Sequence, residues 1–475
     1  MGAELLSVGI DIGTSTTQVI FSRLAMENTA SYFSIPHVAI THKEVVYKSK
    51  IYTTPLIDLR TIDAQKVREV VQAEFQSAGF SPADTKTGAV IITGESARKE
   101  NSASVLEQLS RFAGDFVVST AGPDLEAIIA GKGSGAQQDS KEMGSVTANI
   151  DVGGGTSNLV VFDDGEVIAK GCLDIGGRII RVDPDSMRLL YVSESAAAIA
   201  RSVGVQLAAG ETASIAALER VSKKMAQLLA QSLGFAPQEP LLEVIRTPGS
   251  SPFVLERPIQ ALCFSGGVAD AMQAPEKPQF PYGDIGILLG RELANENFPV
   301  RRVQAAETIR ATVVGAGSYT TSISGSTITY ASELFPLKNI PVLKLNQQEQ
   351  AECFAGNSAL LEERVRWFLE QCGQETMVLG MKGEANPSYP ALKRLAGCIA
   401  QAMDAALAAG APLLVVVQQD IAKALGVSIG QLLKGRRKIA VLDGIQLNQQ
   451  DYMDFGRPAM DGLVIPVVVK TLIFG

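Results

Sequence analysis

Two copies of one glycine-rich pattern constrain this chain of 475 residues more than any other feature. The stretch GIDIGTSTTQVIF occupies Gly9–Phe21, and NIDVGGGTSNLVVF occupies Asn149–Phe162. Each copy runs from apolar residues through an aspartate to glycine and small hydroxyl-bearing residues, and then into a second apolar run typical of a strand. The two aspartates, Asp11 and Asp151, are separated by about the length of one domain. The repeat therefore predicts two related domains that face each other, each contributing one hairpin.

The chemistry of such hairpins suits a nucleoside triphosphate. Glycine lacks Cβ, so backbone N–H groups can approach phosphate oxygens, and serine and threonine hydroxyls add donors. An aspartate beside phosphates is repelled unless a cation lies between them, and hydrated Mg²⁺ supplies that cation. Asp11 and Asp151 are therefore both the candidate metal ligands and the candidate catalytic residues, which would orient the attacking water. The candidate ATP-binding residues of the turns are Gly13, Thr14, Ser15, Thr16, Gly153, Gly154, Gly155 and Thr156.

Two further glycine pairs extend this hypothesis. CFSGGVADAM (Cys263–Met272) is predicted to be a strand, a turn and the start of a helix, and its Gly266–Gly267 turn would let the backbone approach adenine and ribose. ATVVGAGSYT (Ala311–Thr320) places Gly315 and Gly317 in an apolar, helix-like segment. Such glycines favour close helix–helix contact and predict a hinge between the domains. An ordinary structural turn is the alternative for each motif taken alone.

Charge and composition disfavour several classes of protein. Lys and Arg number 42 against 50 Asp and Glu, and this balance does not indicate nucleic-acid or anionic-membrane binding, which depends on clustered positive charge. With only two histidines, a His-rich metal site or a His-based catalytic triad is disfavoured. The longest apolar stretch, near Leu463–Phe474, is too short to span a bilayer, and the cysteines show no CxxC spacing. We therefore expect a soluble cytosolic protein with no membrane insertion and no nucleic-acid partner.

Alternating strand and helix patterns along the chain predict an α/β fold. Residues 1–143 are predicted to form a first lobe, residues 144–329 a second lobe with the adenosine motif and the hinge, and residues 330–475 a C-terminal α/β module. In the segment 121–145, the first half has a helical pattern and the polar second half is interpreted as a loop at the first domain boundary. The fragment GKGSGA (131–136) is assigned to that loop rather than to a Walker A motif.

Two features of the C-terminal module receive structural interpretations. Trp367 is adjacent to Phe368 and Leu369 on a predicted helix, which favours packing in the core. The basic run KGRRK (Lys434–Lys438) is interpreted as a solvated loop. The module as a whole is the candidate for contact with a partner, because it lies outside the nucleotide motifs.

The four glycine motifs, in this order and spacing, resemble the actin-like ATPase superfamily over residues 5–320. The resemblance implies duplicated, ribonuclease H-like lobes with a nucleotide cleft between them, and ATP and Mg²⁺ as cofactors. It also implies that Pro123–Gly135 is the first connecting helix. The superfamily often carries an acidic residue just before the proline of that helix, where this chain has Gly122. Asp124 and Glu126 are nearby, so the residue that positions the attacking water stays open.

Within that superfamily, the sequence is similar nearly end to end to the ethanolamine utilisation protein EutA family. The segments that carry the resemblance are MGAELLSVGIDIGTSTTQVIFSRL, IITGESARKEN (Ile91–Asn101), TAGPDLEAIIAGKGSGA, NIDVGGGTSNLVVFDDG and FGRPAMDGLVIPVVVKTLIF (Phe455–Phe474). The family assists ethanolamine ammonia-lyase, an adenosylcobalamin-dependent enzyme that is inactivated when damaged cobalamin stays bound. The resemblance implies a chaperone-like ATPase that promotes exchange of that cobalamin for intact adenosylcobalamin in ethanolamine catabolism. Attachment to a bacterial microcompartment is implied by the resemblance alone.

Two alternatives of other classes remain open. One is a small-molecule kinase of the same fold, which would need a base aimed at an acceptor hydroxyl, and no convincing acidic motif for it lies outside the phosphate hairpins. The other is a scaffold protein that polymerises like actin, which would sediment in an ATP-dependent way.

Overall fold

The computed structural model describes stretches of the chain that contain three large β-sheets flanked by helices. The described residues are 3–29, 38–58, 60–94, 96, 99–113, 118–120, 122–273, 278–319, 322–324, 328–445, 447 and 451–471. Strands and helices alternate along most of these stretches, which confirms the predicted α/β class.

A mixed sheet forms the core of the first lobe. The elements in this part of the chain are β1 (Ala3–Ile12), β2 (Thr16–Asn28), β3 (Val38–Lys48), β4 (Tyr52–Thr53), α1 (Ala64–Ala78), β5 (Thr85–Ile92), α2 (Ser102–Ala113) and β6 (Val118–Thr120), followed by α3 (Pro123–Gly133) and α4 (Ala136–Met143). The strand order is β3-β2-β1-β5-β6. The first three strands are antiparallel, whereas β5 and β6 run parallel to β1. The antiparallel pair β1 and β2 confirms the predicted first hairpin.

Local sequence signals explain how α1 covers this sheet. Asp63 caps the helix, because its side chain accepts a hydrogen bond from the backbone N–H of Lys66. Gly79 ends the helix in the left-handed conformation, at φ 72°. Val71 and Phe75 lie one turn apart and are both buried in the apolar core of the lobe.

The second lobe repeats the strand order of the first. Its elements are β7 (Thr147–Val152), β8 (Ser157–Asp163), β9 (Glu166–Leu173), β10 (Ile180–Val182), β11 (Leu189–Val192), α5 (Glu194–Ser202), α6 (Ile215–Ser232), α7 (Leu241–Val244), β12 (Ala261–Ser265), α8 (Gly267–Met272), α9 (Gly286–Asn295), β13 (Arg301–Val303) and α10 (Ala311–Tyr319). The sheet order is β9-β8-β7-β12-β13, again with three antiparallel strands followed by two parallel ones. The shared order confirms the predicted pair of related lobes and is the ribonuclease H-like arrangement.

Helices α3 and α10 cross at very short range. A Cβ added at Gly133 would lie 1.8 Å from the carbonyl oxygen of Ala311, and one added at Gly315 would lie 2.0 Å from that of Ile129. Because any Cβ would overlap backbone atoms, only glycine fits at these two positions.

The same helix pair connects the two sheets. On α3, Ala127 packs with Phe162 of the second sheet, whereas Ile129 packs with Ile91 of the first. On α10, Val313 packs against β2 of the first sheet. The crossing therefore fixes the distance between the lobes.

The segment 131–136 is not the predicted loop. Helix α3 runs to Gly133 and α4 begins at Ala136, so most of the segment is helical. A Cβ at Gly131 would lie 2.4 Å from Val160 Cγ1, so this glycine allows the helix to approach the second sheet. The glycines that suggested a loop instead allow close packing of helices and sheet. The boundaries of the three domains stay predictions.

A third sheet organises the C-terminal module. Its elements are β14 (Ser322–Ile323), β15 (Thr329–Tyr330), β16 (Leu337–Lys344), α11 (Gln347–Ala355), α12 (Ser358–Cys372), β17 (Val378–Met381), α13 (Tyr389–Ala406), β18 (Leu413–Val417), α14 (Ala422–Leu433), β19 (Ile439–Leu442), β20 (Asp451–Phe455) and β21 (Pro466–Thr471). The strand order is β14-β21-β20-β16-β17-β18-β19-β15, with β16 to β19 parallel. Among all the helices in the described stretches, none is both long and apolar enough to cross a bilayer.

The module packs against the first lobe. Strand β2 is 13 residues long, and Leu24 and Met26 lie at its end far from the hairpin turn. These two residues share one buried apolar cluster with Leu5, Val38 and Val464, the last of which belongs to the module. The contact joins the module to the sheet that carries the first hairpin.

One prediction about the module is wrong and another holds only in part. Trp367 is 48% exposed on α12, where the guanidinium of Arg364 lies 4.5 Å from its ring centroid, so it is not a core residue. In the basic run, the side chain of Arg437 is only 7% exposed. Its Nε donates to Asp404 Oδ1 at 2.7 Å, and another of its nitrogens donates to the carbonyl oxygen of Leu407 at 2.9 Å. Arg437 therefore anchors the end of α13. Lys434, Gly435, Arg436 and Lys438 are exposed in the loop that follows α14, so the predicted solvated loop holds for them but not for Arg437.

We predict that Gly315→Ala destabilises the protein by roughly 1–3 kcal/mol, because an added Cβ overpacks the crossing of α3 and α10. Gly397→Ala is the matched control, since a Cβ there on α13 meets nothing within 4 Å. This control is expected to be neutral or stabilising by up to about 1 kcal/mol. Urea unfolding measures both changes, and wild-type stability in Gly315→Ala would contradict the tight crossing.

Candidate functional site

A cavity of about 360 Å³ opens between the two lobes. Both predicted aspartates, both hairpin turns and the Gly-Gly pair line it, namely Asp11, Gly13, Thr14, Ser15, Thr16, Asp151, Gly153, Gly154, Gly155, Thr156, Gly266 and Gly267. The predicted hinge residues do not line the cavity. Gly315 lies at the crossing of α3 and α10, and Gly317 lies against Gly9 of β1. The structure thus brings together residues that are far apart in sequence and come from both lobes.

The two hairpin turns have the same hydrogen-bonded form. The N–H of Gly13 donates to the carbonyl oxygen of Thr16 at 2.8 Å, and the N–H of Gly153 donates to that of Thr156 at 2.9 Å. The tips approach each other closely, since a Cβ at Gly154 would lie 2.8 Å from a side-chain oxygen of the first turn, Ser15 Oγ. Donors from both lobes can therefore reach one ligand in the cavity.

The two aspartates occupy equivalent buried positions near the ends of β1 and β7. Thr93 Oγ1 donates to Asp11 Oδ1 at 3.1 Å, and Ser265 Oγ donates to Asp151 Oδ1 at 2.6 Å. Burial raises the pKa of Asp11 to about 7, and the charge of Asp151 adds to this effect while the Thr93 hydrogen bond opposes it. Burial also raises the pKa of Asp151 to about 6, against the hydrogen bond from Ser265. Both carboxylates would be stabilised by a cation.

Glu126 is the site residue that the sequence left unresolved. It lies in the first turn of α3 and lines the cavity with both aspartates. Burial raises its pKa well above the usual value, and the charges of Asp11 and Asp151 raise it further. Asp124, the other candidate, accepts a hydrogen bond from the backbone N–H of Ser251 at 3.0 Å and does not line the cavity. Of the two, Glu126 is the residue that faces the cleft.

The cavity lining carries an excess of acidic side chains over basic ones. Its acidic residues are Asp11, Glu126, Asp151, Asp270 and Asp284, whereas Arg178 is the only Lys or Arg among the described lining residues. Mg²⁺ usually keeps several waters and takes one or two carboxylates together with phosphate oxygens, and the two hairpin aspartates fit that pattern. In the described stretches, no group of three or more His, Cys, Asp or Glu residues could by itself hold a metal ion.

Two buried polar atoms of the cavity lining have no hydrogen-bond partner among the described residues, namely Ser15 Oγ, at the tip of the first hairpin, and Gln18 Oε1 on β2. A third such atom, Asn158 Oδ1, belongs to a neighbour of the lining. Asn158 is the residue that pairs with Asp151 across β7 and β8. A buried polar atom without a partner costs about 1–3 kcal/mol, so these atoms fit a polar ligand or a hydrated cation that would satisfy them.

A second part of the lining is apolar and contains the predicted adenosine motif. Gly266 has φ 88°, and a Cβ there would lie 2.3 Å from the carbonyl oxygen of Val152, so only glycine fits. The apolar lining residues are Ile51, Val268, Ala271, Tyr282, Ile287 and Ile309. A cavity with an apolar part beside a donor-rich part suits a flat base that carries phosphates.

We predict that Asp11→Asn and Asp151→Asn each stabilise the protein free of nucleotide and metal. Because each pKa is raised, the folded state binds the proton more tightly than the unfolded state does. The stability that the protonated aspartate contributes is therefore fully present below about pH 4. It is lost as the pH rises through about 6 for Asp151 and about 7 for Asp11. Above pH 7 the expected gain of each variant is roughly 1–3 kcal/mol, measured by urea unfolding with a chelator between pH 4 and pH 8.

Asp63→Asn is the matched control for this experiment. Asparagine caps a helix as well as aspartate does, and the hydrogen bond with Lys66 lowers the pKa of Asp63. No gain that grows with pH is expected for this variant. A wild-type protein more stable than both cavity variants at pH 8 would contradict the raised pKa values.

Sequence comparison extends over the whole chain. The family model described as ethanolamine utilisation protein EutA matches residues 3–475. The chain is 36% identical over 475 residues to the ethanolamine ammonia-lyase reactivase EutA of Salmonella typhimurium, and the match covers 99% of each protein. It is 34% identical over 479 residues to the protein of the same name from Escherichia coli, again over 99% of each.

Similarity to solved structures is much weaker. A Ppx/GppA phosphatase from Aquifex aeolicus aligns with 66% of this chain and 99% of its own, at 13% identity and a TM-score of 0.39. The ethanolamine utilization protein EutJ from Carboxydothermus hydrogenoformans aligns with 66% of this chain and 89% of its own, at 14% identity and a TM-score of 0.33. Scores this low carry no conclusion about function, whereas the matches to the family model and to both relatives cover nearly the whole chain. The chain therefore belongs to the EutA family of ethanolamine utilisation proteins.

Proposed function

We propose that this chain is an ATP-dependent reactivating factor for ethanolamine ammonia-lyase, which promotes exchange of damaged cobalamin for intact adenosylcobalamin. The observation that carries the proposal is the pair of aspartate-bearing hairpins, one from each lobe, that line a single cavity. The partner comes from the two relatives, each of which is named an ethanolamine ammonia-lyase reactivase. A cytoplasmic location and attachment to a microcompartment stay predictions.

ATP would contact both lobes at once. The N–H groups and hydroxyls of residues 13–16 and 153–156 would bind its phosphates, and Gly266–Gly267 with the apolar lining would bind its adenosine. Asp11 and Asp151 are the residues that would hold hydrated Mg²⁺, which supplies positive charge beside the phosphates when it is bound. The acidic lining supports this assignment, because phosphates alone would be repelled there.

Glu126 is the proposed positioning group for the attacking water. The water oxygen would form a bond to the terminal phosphorus as the bond from that phosphorus to the ADP oxygen breaks. One proton of the water would pass to an oxygen of the released phosphate, so the products are ADP and phosphate. Positive charge in the cavity would offset the repulsion from the two aspartates, so the Glu126 carboxylate could ionise and accept a hydrogen bond from the water.

Closure of the lobes is the proposed link between ATP and the lyase. A nucleotide that contacts both lobes only when they are closed shifts the population towards the closed state. The C-terminal module packs on the first lobe through the cluster that contains Val464, so a movement of that lobe would carry the module with it. The module is the proposed contact for the lyase, and Gly315 and Gly317 are the proposed hinge.

Reactivation is measured with lyase that carries damaged cobalamin, mixed with this protein, ATP, Mg²⁺ and free adenosylcobalamin. We predict that wild-type protein restores lyase activity and that Asp11→Asn and Asp151→Asn do not. Glu126→Gln should still bind nucleotide but lower the rate of hydrolysis about 10²-fold or more, because a positioned base typically contributes that much.

The contradicting results differ for the separate parts of the proposal. No recovery of lyase activity, beside a competent reactivase as control, would overturn the function itself. Full recovery with either aspartate variant would overturn the metal assignment. Wild-type hydrolysis by Glu126→Gln would overturn the role of Glu126, and ATP-dependent sedimentation without reactivation would favour a polymerising scaffold.

Trp367 is a proposed contact residue for the lyase. It is 48% exposed on α12, and Leu360, two turns earlier on the same face, is 43% exposed. We predict that Trp367→Ala weakens lyase binding about tenfold or more while nucleotide binding is unchanged, since buried tryptophans carry much of the energy of protein interfaces. Calorimetric titration of the lyase measures the change. Val244→Ala, at a 68% exposed apolar site in the second lobe, is the control, and equal lyase affinity in both variants would contradict the contact.

A further inference from the structure

Arg178 lines the cavity, and the proposed function gives it no role. It is the only Lys or Arg among the described lining residues, which otherwise include five carboxyl groups. Its side chain is 34% exposed, so a ligand in the cavity could reach it. A positive group placed alone among carboxylates is the natural partner for a further anionic group of the ligand.

The backbone holds Arg178 against the tip of the second hairpin. The N–H of Arg178 donates to the carbonyl oxygen of Gly154 at 2.7 Å, and the N–H of Gly177 donates to that of Gly153 at 3.0 Å. The side chain runs along the same tip, since a Cβ at Gly154 would lie 3.6 Å from Arg178 Cβ. The same added Cβ at Gly154 would lie 2.8 Å from Ser15 Oγ of the first hairpin, so Arg178 lies where the two hairpins meet.

The carboxylate of Asp284 binds the guanidinium of Arg178. Arg178 Nε donates to Asp284 Oδ2 at 3.2 Å, and Asp284 Oδ1 accepts a hydrogen bond from the N–H of Gly286 at the start of α9. Among the described residues, the other guanidinium nitrogens of Arg178 have no hydrogen-bond partner. Arginine presents five donors, so Nε can stay on Asp284 while the remaining donors bind a phosphate.

We propose that Arg178 is the residue by which the cavity distinguishes ATP from ADP, because its free guanidinium donors bind the terminal phosphate while Asp284 holds the side chain in place. The inference rests on the proposed nucleotide site. In that site the adenosine would bind beside Gly266–Gly267 and the apolar lining, and the terminal phosphate would lie near the hairpin tips, where Gly154 approaches both Ser15 and Arg178. ADP lacks that phosphate, so it gains little from Arg178.

The test compares the affinities for a Mg²⁺-bound, non-hydrolysable ATP analogue and for Mg²⁺-bound ADP by calorimetric titration of the full chain. We expect Arg178→Gln to lower the affinity for the ATP analogue about 10- to 100-fold, the usual size of a lost charge-assisted hydrogen bond, and the affinity for ADP by less than about threefold. Arg178→Lys should recover part of the preference, because it keeps the charge but not the planar set of donors.

Asp284→Asn separates phosphate binding from a purely structural role. Asparagine keeps an oxygen for the N–H of Gly286 but loses the ion pair with Arg178. Because the guanidinium donors remain, we expect this variant to lose less of the preference for the ATP analogue than Arg178→Gln does. Equal losses for the two nucleotides in Arg178→Gln would overturn the inference while leaving the nucleotide site in place. Matching losses in Asp284→Asn would overturn it in the same way, by showing that the ion pair alone matters. A wild-type protein that binds neither nucleotide would overturn both this inference and the proposed function.

Discussion

The rest of the structure depends on the close crossing of α3 and α10. Ordinary side chains keep packed helices about 8–10 Å apart, whereas Gly133 and Gly315 let these two backbones come into direct contact. Each helix also packs on the neighbouring sheets, so the crossing sets the distance between the lobes. At that distance the tips of the two hairpins nearly touch, as the short approach of Gly154 to Ser15 shows. The shape of the cavity therefore depends on backbone contact between two helices that also contribute Glu126 and Thr312 to its lining.

The cavity lowers the stability of the unliganded protein. Burial raises the pKa values of Asp11, Asp151 and Glu126, and repulsion between carboxylates raises those of Asp11 and Glu126 further. Buried oxygens on Ser15 and Asn158 lower the stability further, because they have no hydrogen-bond partner among the described residues. Sites that are strained or destabilising in this way are characteristic of function rather than of folding. A bound cation and nucleotide would offset these terms and would do so only when both lobes are in place.

Local pattern was enough to predict both hairpins, because glycine and hydroxyl residues between apolar strands specify such turns. It could not separate Asp124 from Glu126, because residues two apart point to opposite sides of a helix and only the packing of α3 decides which side faces the cleft. It placed a loop at 131–136, where close packing on Val160 overrides the low helix propensity of glycine. It missed Arg178, because a loop without a recognisable motif carries that residue to the cavity.

The central claim is that hairpins from two lobes bind one nucleotide together. Amide hydrogen exchange of the full chain, with and without a Mg²⁺-bound, non-hydrolysable ATP analogue, tests it most directly. We predict slower exchange of residues 13–16 and residues 153–156 at the same analogue concentration, with slower exchange of α3 between them. Slower exchange in only one hairpin, or in neither at a concentration that saturates binding, would contradict the claim.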